Sequence, residues 1–414
     1  MVPNLLKPSQ LGEIPKDWKR VKLSDVMKVR QGLQIAISER LISPTSTSKE
    51  YITIQSIKKT DQVREYVEAP SQRVICSKDD VLMTRTGNTG IVVTGVEGAF
   101  HNNFFLMDFD KNRIDTTFLV NYLRSPRIQH LILTKAGAST IPDLNHKDFY
   151  SIEFPLAPIL EQQKIAKILS TWDKAISTTE RLIDNSTQQK KALMQQLLTG
   201  KKRLLDDEGI RFEGEWEEVS VGSLGKIYSG GTPSTSNTEY WDGDINWITP
   251  TDITKQDSRY INSSLKKITL EGLENSSAKL VPAGSLLICT RATIGAMAIT
   301  SHEMCTNQGF KNIVPNSKTN IEFVYYLLTY NKHRMISKAS GSTFLELSKT
   351  SFESMKFNMP AIKEQKKIAT VLTNVDKEIE LLEQQLADLQ QEKKALMQVL
   401  LTGKKRVLVD GEVL

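Results

Sequence analysis

The chain contains one segment twice. Glu161 to Arg203 and Glu364 to Arg406 are related by a constant offset of 203 residues and agree at 24 of 43 positions. Both copies close on Lys-Lys-Ala-Leu-Met-Gln and, one residue later, Leu-Leu-Thr-Gly-Lys-Lys-Arg, ending at Arg203 and Arg406. A repeat this distant is far longer than a solenoid unit, so it marks duplication of a whole module of roughly 200 residues. Two such modules are expected to be related by an approximate two-fold axis, and they suit a target that itself has two halves.

The duplicated segments read as helices. Ile368, Leu372, Val375, Ile379, Leu382, Leu386, Leu389, Leu396 and Leu400 recur at alternating steps of four and three, with Lys393 filling one slot. That is a heptad seam. The first copy fills the same slots with Ile165, Leu169, Trp172, Ile176, Ile183, Leu193 and Leu197, and places Thr179, Ser186 and Lys190 among them. Pro155 and Pro158, or Pro360, precede each helix, and Gly200 and Gly403 stop them, as these residues do at helix ends. A helix of about 38 residues is roughly 57 Å long. An apolar stripe of that length needs a partner. Two packings are open: each helix lies on its own globular block, or the two copies pair antiparallel into a rigid rod with a block at either end. Lys190 and Lys393 either set the register of such a pair or extend to solvent.

The blocks between the helices are β-rich. In the first, Trp18 to Leu23, Tyr51 to Ile57, Val81 to Thr84, Thr89 to Thr94 and Phe104 to Phe109 read as strands, followed by a helix from Thr116 to about Lys135. The second block repeats the plan: Glu215-Trp216 matches Asp17-Trp18, Gly230 matches Gly32, and Thr290-Arg291 matches Thr84-Arg85. Asn307-Gln308 with Phe310 resembles Asn102-Asn103-Phe104, and Lys338-Ala339 with Ser342-Thr343 matches Lys135-Ala136 with Ser139-Thr140. The frames agree while the residues between them mostly differ.

Several classes are set aside. No run of 18 apolar residues suggests a membrane span, and Met1 to Lys16 lacks an apolar signal core, which points to the cytoplasm. Cys76, Cys289 and Cys305 show no Cys-x-x-Cys spacing and read as small core residues. His101, His130, His146, His302 and His333 lack ligand spacing. No Walker loop, Gly-rich methyl-donor loop or Asn/Asp-Pro-Pro-aromatic motif is present. The chain therefore reads as non-catalytic. A net charge of +6 mildly favours a polyanionic partner.

The order of block, helix, block, helix resembles the specificity subunit of type I restriction-modification systems. The resemblance rests on the helix starts Pro158 to Ala166 and Pro360 to Ala369, on Asp173 and Asp376, and on the shared helix ends. In the second block it rests on Ser229 to Ser234, Tyr240-Trp241, Ile245 to Thr249 with Asp252-Ile253, and Arg291 to Gly295. The first block departs from it, with Gln31-Gly32-Leu33-Gln34 in place of the Gly-Gly-Thr-Pro turn and Arg85 to Gly90 one residue longer.

The resemblance implies an α/β (α+β) chain: two β-rich target recognition domains separated by two long antiparallel coiled-coil helices, with a pseudo-two-fold internal repeat. The expected divisions are 1–155 for the first recognition domain, 156–205 for a central spacer and docking helix, 206–358 for the second recognition domain and 359–414 for the C-terminal helical region. It implies that each domain reads one half of a split, asymmetric site on double-stranded DNA. The helices then set the spacer and dock two modification subunits, with restriction (motor-nuclease) subunits joining the full complex. S-adenosylmethionine, ATP and Mg belong to those partner subunits; this chain takes no cofactor or metal. Inserting or deleting helical residues is then expected to move the preferred spacer, read as the spacing between methylated adenines. The other class of reading is a coiled-coil scaffold that bridges proteins, which gives no reason for twin frames carrying divergent polar loops.

DNA contacts should come from polar and basic residues in the loops between frame strands. In the first block these are Arg30, Gln31, Gln34, Gln55, Lys58, Lys59, Arg85, Thr86, Asn88, Asn102 and Asn103. In the second they are Thr232, Ser234, Tyr240, Thr249, Asp252, Lys255, Arg291, Thr293, Asn307, Gln308 and Lys311. Trp216 and Trp247 either fill the core or stack on bases. The Lys-Lys-Arg runs after Gly200 and Gly403 either face the helix macrodipole or touch phosphate.

Overall fold

A computed structural model describes residues 6–9, 12–58, 63–137, 140–256, 258–341 and 345–408. Lys59, Ser139, Ser342 and Thr343 lie outside them. The chain divides into two compact units, one made of residues 1–180 with 384–414 and the other of 181–383.

In the first unit, Met27–Gln31, Phe104–Phe109, Val81–Thr84 and Val92–Val93 form one sheet in that order. Phe104 to Met107 are all buried, so this central strand is covered on both faces. A second sheet orders Tyr66–Val67, Lys49–Ile52, Gly98–Phe100 and Ile75–Cys76, with the middle pair parallel. Trp18, Phe105, Phe118, Tyr122 and Phe154 fill the core. The strand expected to run to Ile57 stops at Ile52, and Ile54–Lys58 turns into a short helix. Ser56 makes the turn by exchanging side-chain and backbone bonds with Thr53. Trp18 to Leu23 shortens to Lys19–Lys22, and Thr89 to Thr94 shortens to Val92–Val93. The helix expected over Thr116 to Lys135 is two helices, Thr116–Arg124 and Pro126–Ala136. Pro126 causes the break: the residue before a proline avoids helical geometry, and Ser125 is extended with ψ 141°.

The second unit repeats the plan. Gly225–Ser229, Phe310–Pro315, Leu286–Cys289, Met297–Thr300 and Tyr260–Ile261 form a five-stranded sheet in that order. Lys267–Ile268, Trp241–Ile248 and Cys305–Thr306 form a three-stranded one. Trp241–Ile248 runs parallel to Cys305–Thr306, as Lys49–Ile52 does to Gly98–Phe100.

Ile159–Leu197 and Ile362–Leu400 are helices of 39 residues each. Within each unit, the start of one helix meets the end of the other. In the first unit Arg406 reaches Glu161 and Lys393 reaches Asp173; in the second Arg203 reaches Glu364 and Lys190 reaches Asp376. Rising residue numbers on one helix thus face falling numbers on the other, so the segments run antiparallel. The two packings left open by the sequence both operate at these ends. Ile165 and Leu169 pack in one core with Phe118 and Phe154 of their own block and with Met397 and Leu400 of the other copy. Leu197, Ile368 and Leu372 do the same around Phe323.

Of the seam positions, Ile165, Leu169, Leu197, Ile368, Leu372 and Leu400 are buried. Trp172, Ile176, Ile183, Leu193, Val375, Ile379, Leu382, Leu386, Leu389 and Leu396 are half-buried, and the polar Thr179 and Ser186 are buried. Lys393 Nζ lies 2.5 Å from Asp173 and Lys190 Nζ 2.5 Å from Asp376. Each seam lysine therefore meets the aspartate repeated in the other copy, which makes the pairs register marks rather than solvent-seeking chains.

Gly403 and Gly200 end the helices at φ 66° and 70°, a region costly for other residues. A Cβ on Gly403 would also collide with the Pro15 ring, whereas one on Gly200 would sit in ordinary contact with Trp216 at 3.4 Å. Gly403→Ala is therefore expected to lower stability more than Gly200→Ala, as measured by thermal unfolding. The three cysteines are buried and free. Burial pushes the Cys76 thiol up to about 11 and those of Cys289 and Cys305 up to about 12. Thiolate is the reactive form. All three should resist a thiol reagent at pH 8 in the native protein and react together on unfolding.

Candidate nucleic-acid interface

In each unit the loops that leave the paired sheets converge on one edge, and the joints are the same. In the first, Gly32 sits where any Cβ would strike the carbonyls of Phe100 and His101. That close approach lets Leu33 N–H donate to Phe100 O at 2.9 Å and Asn102 N–H to Leu33 O at 3.0 Å. His101 N–H donates to Ile52 O at 2.9 Å, and Arg85 N–H donates to Asn103 O at 2.7 Å. Burial holds the His101 imidazole below its usual range, with Arg40 adding to the effect. Its Nδ1 accepts from Asn103 N–H at 3.0 Å. In the second unit, Gly230 would strike Asn307 O, Gly231 N–H donates to Thr306 O at 2.9 Å, and Asn307 N–H donates to Ile248 O at 3.0 Å. Gly309 N–H donates to Asn307 Oδ1 at 2.9 Å, and Thr290 N–H to Gly309 O at 2.8 Å.

This geometry pairs Asn307 with His101 and Gln308 with Asn102, one residue off the correspondence read from the sequence. It also places one side-chain bridge at the same position in both units. Asn102 Nδ2 donates to Gln34 Oε1 at 2.9 Å, and Thr232 Oγ1 donates to Gln308 Oε1. The frame is shared; the groups it presents are not.

Gln31, Gln34, Arg85, Thr86, Asn102 and Asn103 thus gather at one edge in the first unit, and Thr232, Asn307, Gln308 and Arg291 in the second. Gln31 Nε2 is bonded to Asn102 O at 3.1 Å. Arg85 and Thr86 both bond Asp143. Arg291 faces Glu346 at 3.9 Å, with both side chains 45% exposed, a looser version of the same pairing. Asp143 and Glu346 were not singled out from the sequence. Asn88, Gln55, Thr293 and Lys255 are exposed, and Lys58 lies in the short helix after Ile52.

Other candidates are engaged elsewhere. Arg30 is held by Asp108 at 2.7 and 3.1 Å and by the Arg73 carbonyl at 2.7 Å. Asp252 spends both oxygens on structure, capping Thr249 at 2.7 Å and accepting from Leu265 N–H at 2.9 Å. Lys311 is buried, and burial lowers its ammonium below the usual lysine range. Ser234 bonds Ser236 at 2.8 Å, while its carbonyl accepts from Trp241 Nε1 at 3.1 Å. Tyr240 is half-buried, its carbonyl bonded to Thr269 N–H at 3.0 Å. Trp247 is a core residue: it is buried, its Nε1 donates to Gly231 O at 2.8 Å, and it meets Trp241 edge-on. Trp216 is half-buried and meets Phe323 edge-on. Of the Lys-Lys-Arg runs, Lys201, Lys202, Lys404 and Lys405 are exposed, while Arg203 and Arg406 turn onto Glu364 and Glu161.

Among the described residues, no group of three or more His, Cys, Asp or Glu could hold a metal ion, and no helix is long and apolar enough to cross a membrane. The type I restriction modification DNA specificity domain matches twice, over residues 15–185 and 213–391. The chain belongs to this family. Relatives within the type I systems include the putative type I restriction enzyme MjaX specificity subunit of Methanocaldococcus jannaschii, 29% identical over 97% of this chain and 96% of that protein. The EcoR124I/EcoR124II specificity subunit of Escherichia coli is 31% identical over 40% of this chain and 42% of its own. The S subunit of the type I system of M. genitalium has the same fold, with a TM-score of 0.57 at 14% identity over 97% of both chains. A chain from a solved type I R-M system aligns at 0.60 and 18% identity, over 95% of this chain and 99% of its own.

Proposed function

We propose that this chain is the non-catalytic, sequence-reading subunit of a type I restriction-modification complex. Each recognition domain reads one half of a split, asymmetric DNA site. The observation that carries the reading is the repeated loop edge, where one set of backbone joints presents Gln34 and Asn102 in the first unit and Thr232 and Gln308 in the second. Equal frames with unequal polar groups suit two half-sites of different sequence, since polar side chains on base edges carry specificity. Residues 1–155 and 206–358 form the two readers in this proposal. The helical regions 156–205 and 359–414 set the spacer and dock two modification subunits, and restriction subunits complete the assembly.

The test is co-expression with the candidate modification subunit in a methylation-free host, followed by genome-wide mapping of modified adenines. One split, asymmetric motif is expected. A cofactor-loaded complex that forms but methylates nothing would overturn the reading in favour of a scaffold.

A further inference from the structure

Asp376, in the second long helix, is the repeated counterpart of Asp173, yet its surroundings differ. Asp173 meets Lys393 and stays 47% exposed. The Asp376 side chain is 13% exposed and gathers three donors in the second unit: Lys190 Nζ at 2.5 Å, Tyr326 Oη at 2.5 Å and Arg259 Nη1 at 3.0 Å. Lys190 repeats a pairing found in the first unit. Tyr326 lies on the helix capped by Asn320, and three residues beyond Phe323. The matching position after Phe118 is Asn121, whose amide turns onto Thr117 O instead.

Arg259 supplies the third donor. It follows the short helix Pro250–Thr254 and the exposed Lys255, and it leads into the edge strand Tyr260–Ile261. Its carbonyl accepts from Ile299 N–H at 2.8 Å, its guanidinium lies over the Tyr260 ring, and its side chain is only 9% exposed. Next to it, Tyr260 Oη donates to Glu322, which also accepts from Thr373 Oγ1 of the long helix at 3.4 Å. The segment that carries Thr249, Asp252 and Lys255 is therefore anchored to the long helix through a largely buried guanidinium. Among the described residues, Arg259 Nε is buried without a hydrogen-bond partner. A buried ionic cluster with an unmet donor is a poor source of stability, and the best-attested use of such groups is to fix one geometry.

Resting on the DNA reading above, we propose that Arg259 is a positioning residue for the spacer. Through Asp376 it fixes how the second recognition segment leaves the helix pair, and so confines recognition to one separation of the half-sites. The experiment is Arg259→Gln in the full chain, co-expressed with the modification subunit. Methylation is compared on sites with the native spacer and with one base pair more or fewer.

The unsubstituted chain must first yield a split motif; without one the DNA reading fails, whatever Arg259 does. With it, Arg259→Gln should raise the off-spacer to native-spacer ratio roughly tenfold, about 1.4 kcal/mol of discrimination. The bases read at both halves should stay unchanged, and Arg259→Lys should recover part of the loss. A folded Arg259→Gln complex with the native ratio, or one that alters the bases read, overturns the proposal. Should Arg259→Gln not fold, Asp376→Asn removes the charge that Arg259 pairs with and reads the same ratio; an unchanged ratio there overturns the proposal equally.

Discussion

Arg406→Met should destabilise the first unit by about 3–5 kcal/mol, the usual cost of leaving a buried charge without its partner. Glu161 is fully buried at the first turn of its helix. Arg406 meets it with Nε at 2.7 Å and Nη2 at 2.9 Å, and reaches Asp17 at 2.9 and 3.1 Å. Without the arginine, Glu161 keeps the Trp18 indole bond at 2.9 Å, which does not neutralise it. Adding Glu161→Gln should restore most of the loss, because an amide can accept the same indole without a charge. The twin change, Arg203→Met, should cost less. A cavity of about 810 Å³ borders Arg203, Trp216 and Glu364, so water can reach the abandoned carboxylate. Hydrogen exchange of amides in each unit separates the two effects. Equal losses in both units would show that the cavity does not relieve Glu364.

Gln34→Ala together with Asn102→Ala should blur the bases accepted at one half-site and leave the other unchanged. A well-placed polar contact to a base edge contributes about 1–3 kcal/mol of discrimination, roughly tenfold to a hundredfold. Methylation mapping of the variant complex reads both halves in one experiment. Thr232→Ala with Gln308→Ala should give the mirror result. Loss at both halves from either pair would mean that the loop edge supports the fold rather than reads DNA.

Much of the architecture is legible in the sequence. The repeat and its heptads locate both long helices, and the proline and glycine signals place their ends within a few residues. What escaped depends on residues far apart in the chain. Nothing local tells Glu161 that its partner is Arg406, 245 positions away. Its place in the duplicated segment, twinned with Glu364, was the available signal. Pro126 did announce the break in the helix after Thr116, and periodicity across it concealed the warning. Arg30, Asp252 and Lys311 have the chemistry of a DNA contact, but composition cannot show whether a charged group is satisfied within its own fold. Arg259 had no local signal, because the carboxylate it meets, Asp376, lies 117 positions away.

The discontinuous first unit has a consequence for synthesis. Its last part, residues 384–414, is translated about 200 residues after Glu180. At roughly 5–20 residues per second, that leaves the nascent first half waiting about 10–40 s. Through that interval Glu161 lacks its cation, and Ile165 and Leu169 lack the Met397 and Leu400 cover they have in the finished fold. The second unit is contiguous and needs no such delay. On the ribosome the unit begun before the other is thus completed after it, and a chain cut short before residue 384 would leave Glu161, Ile165 and Leu169 without these partners.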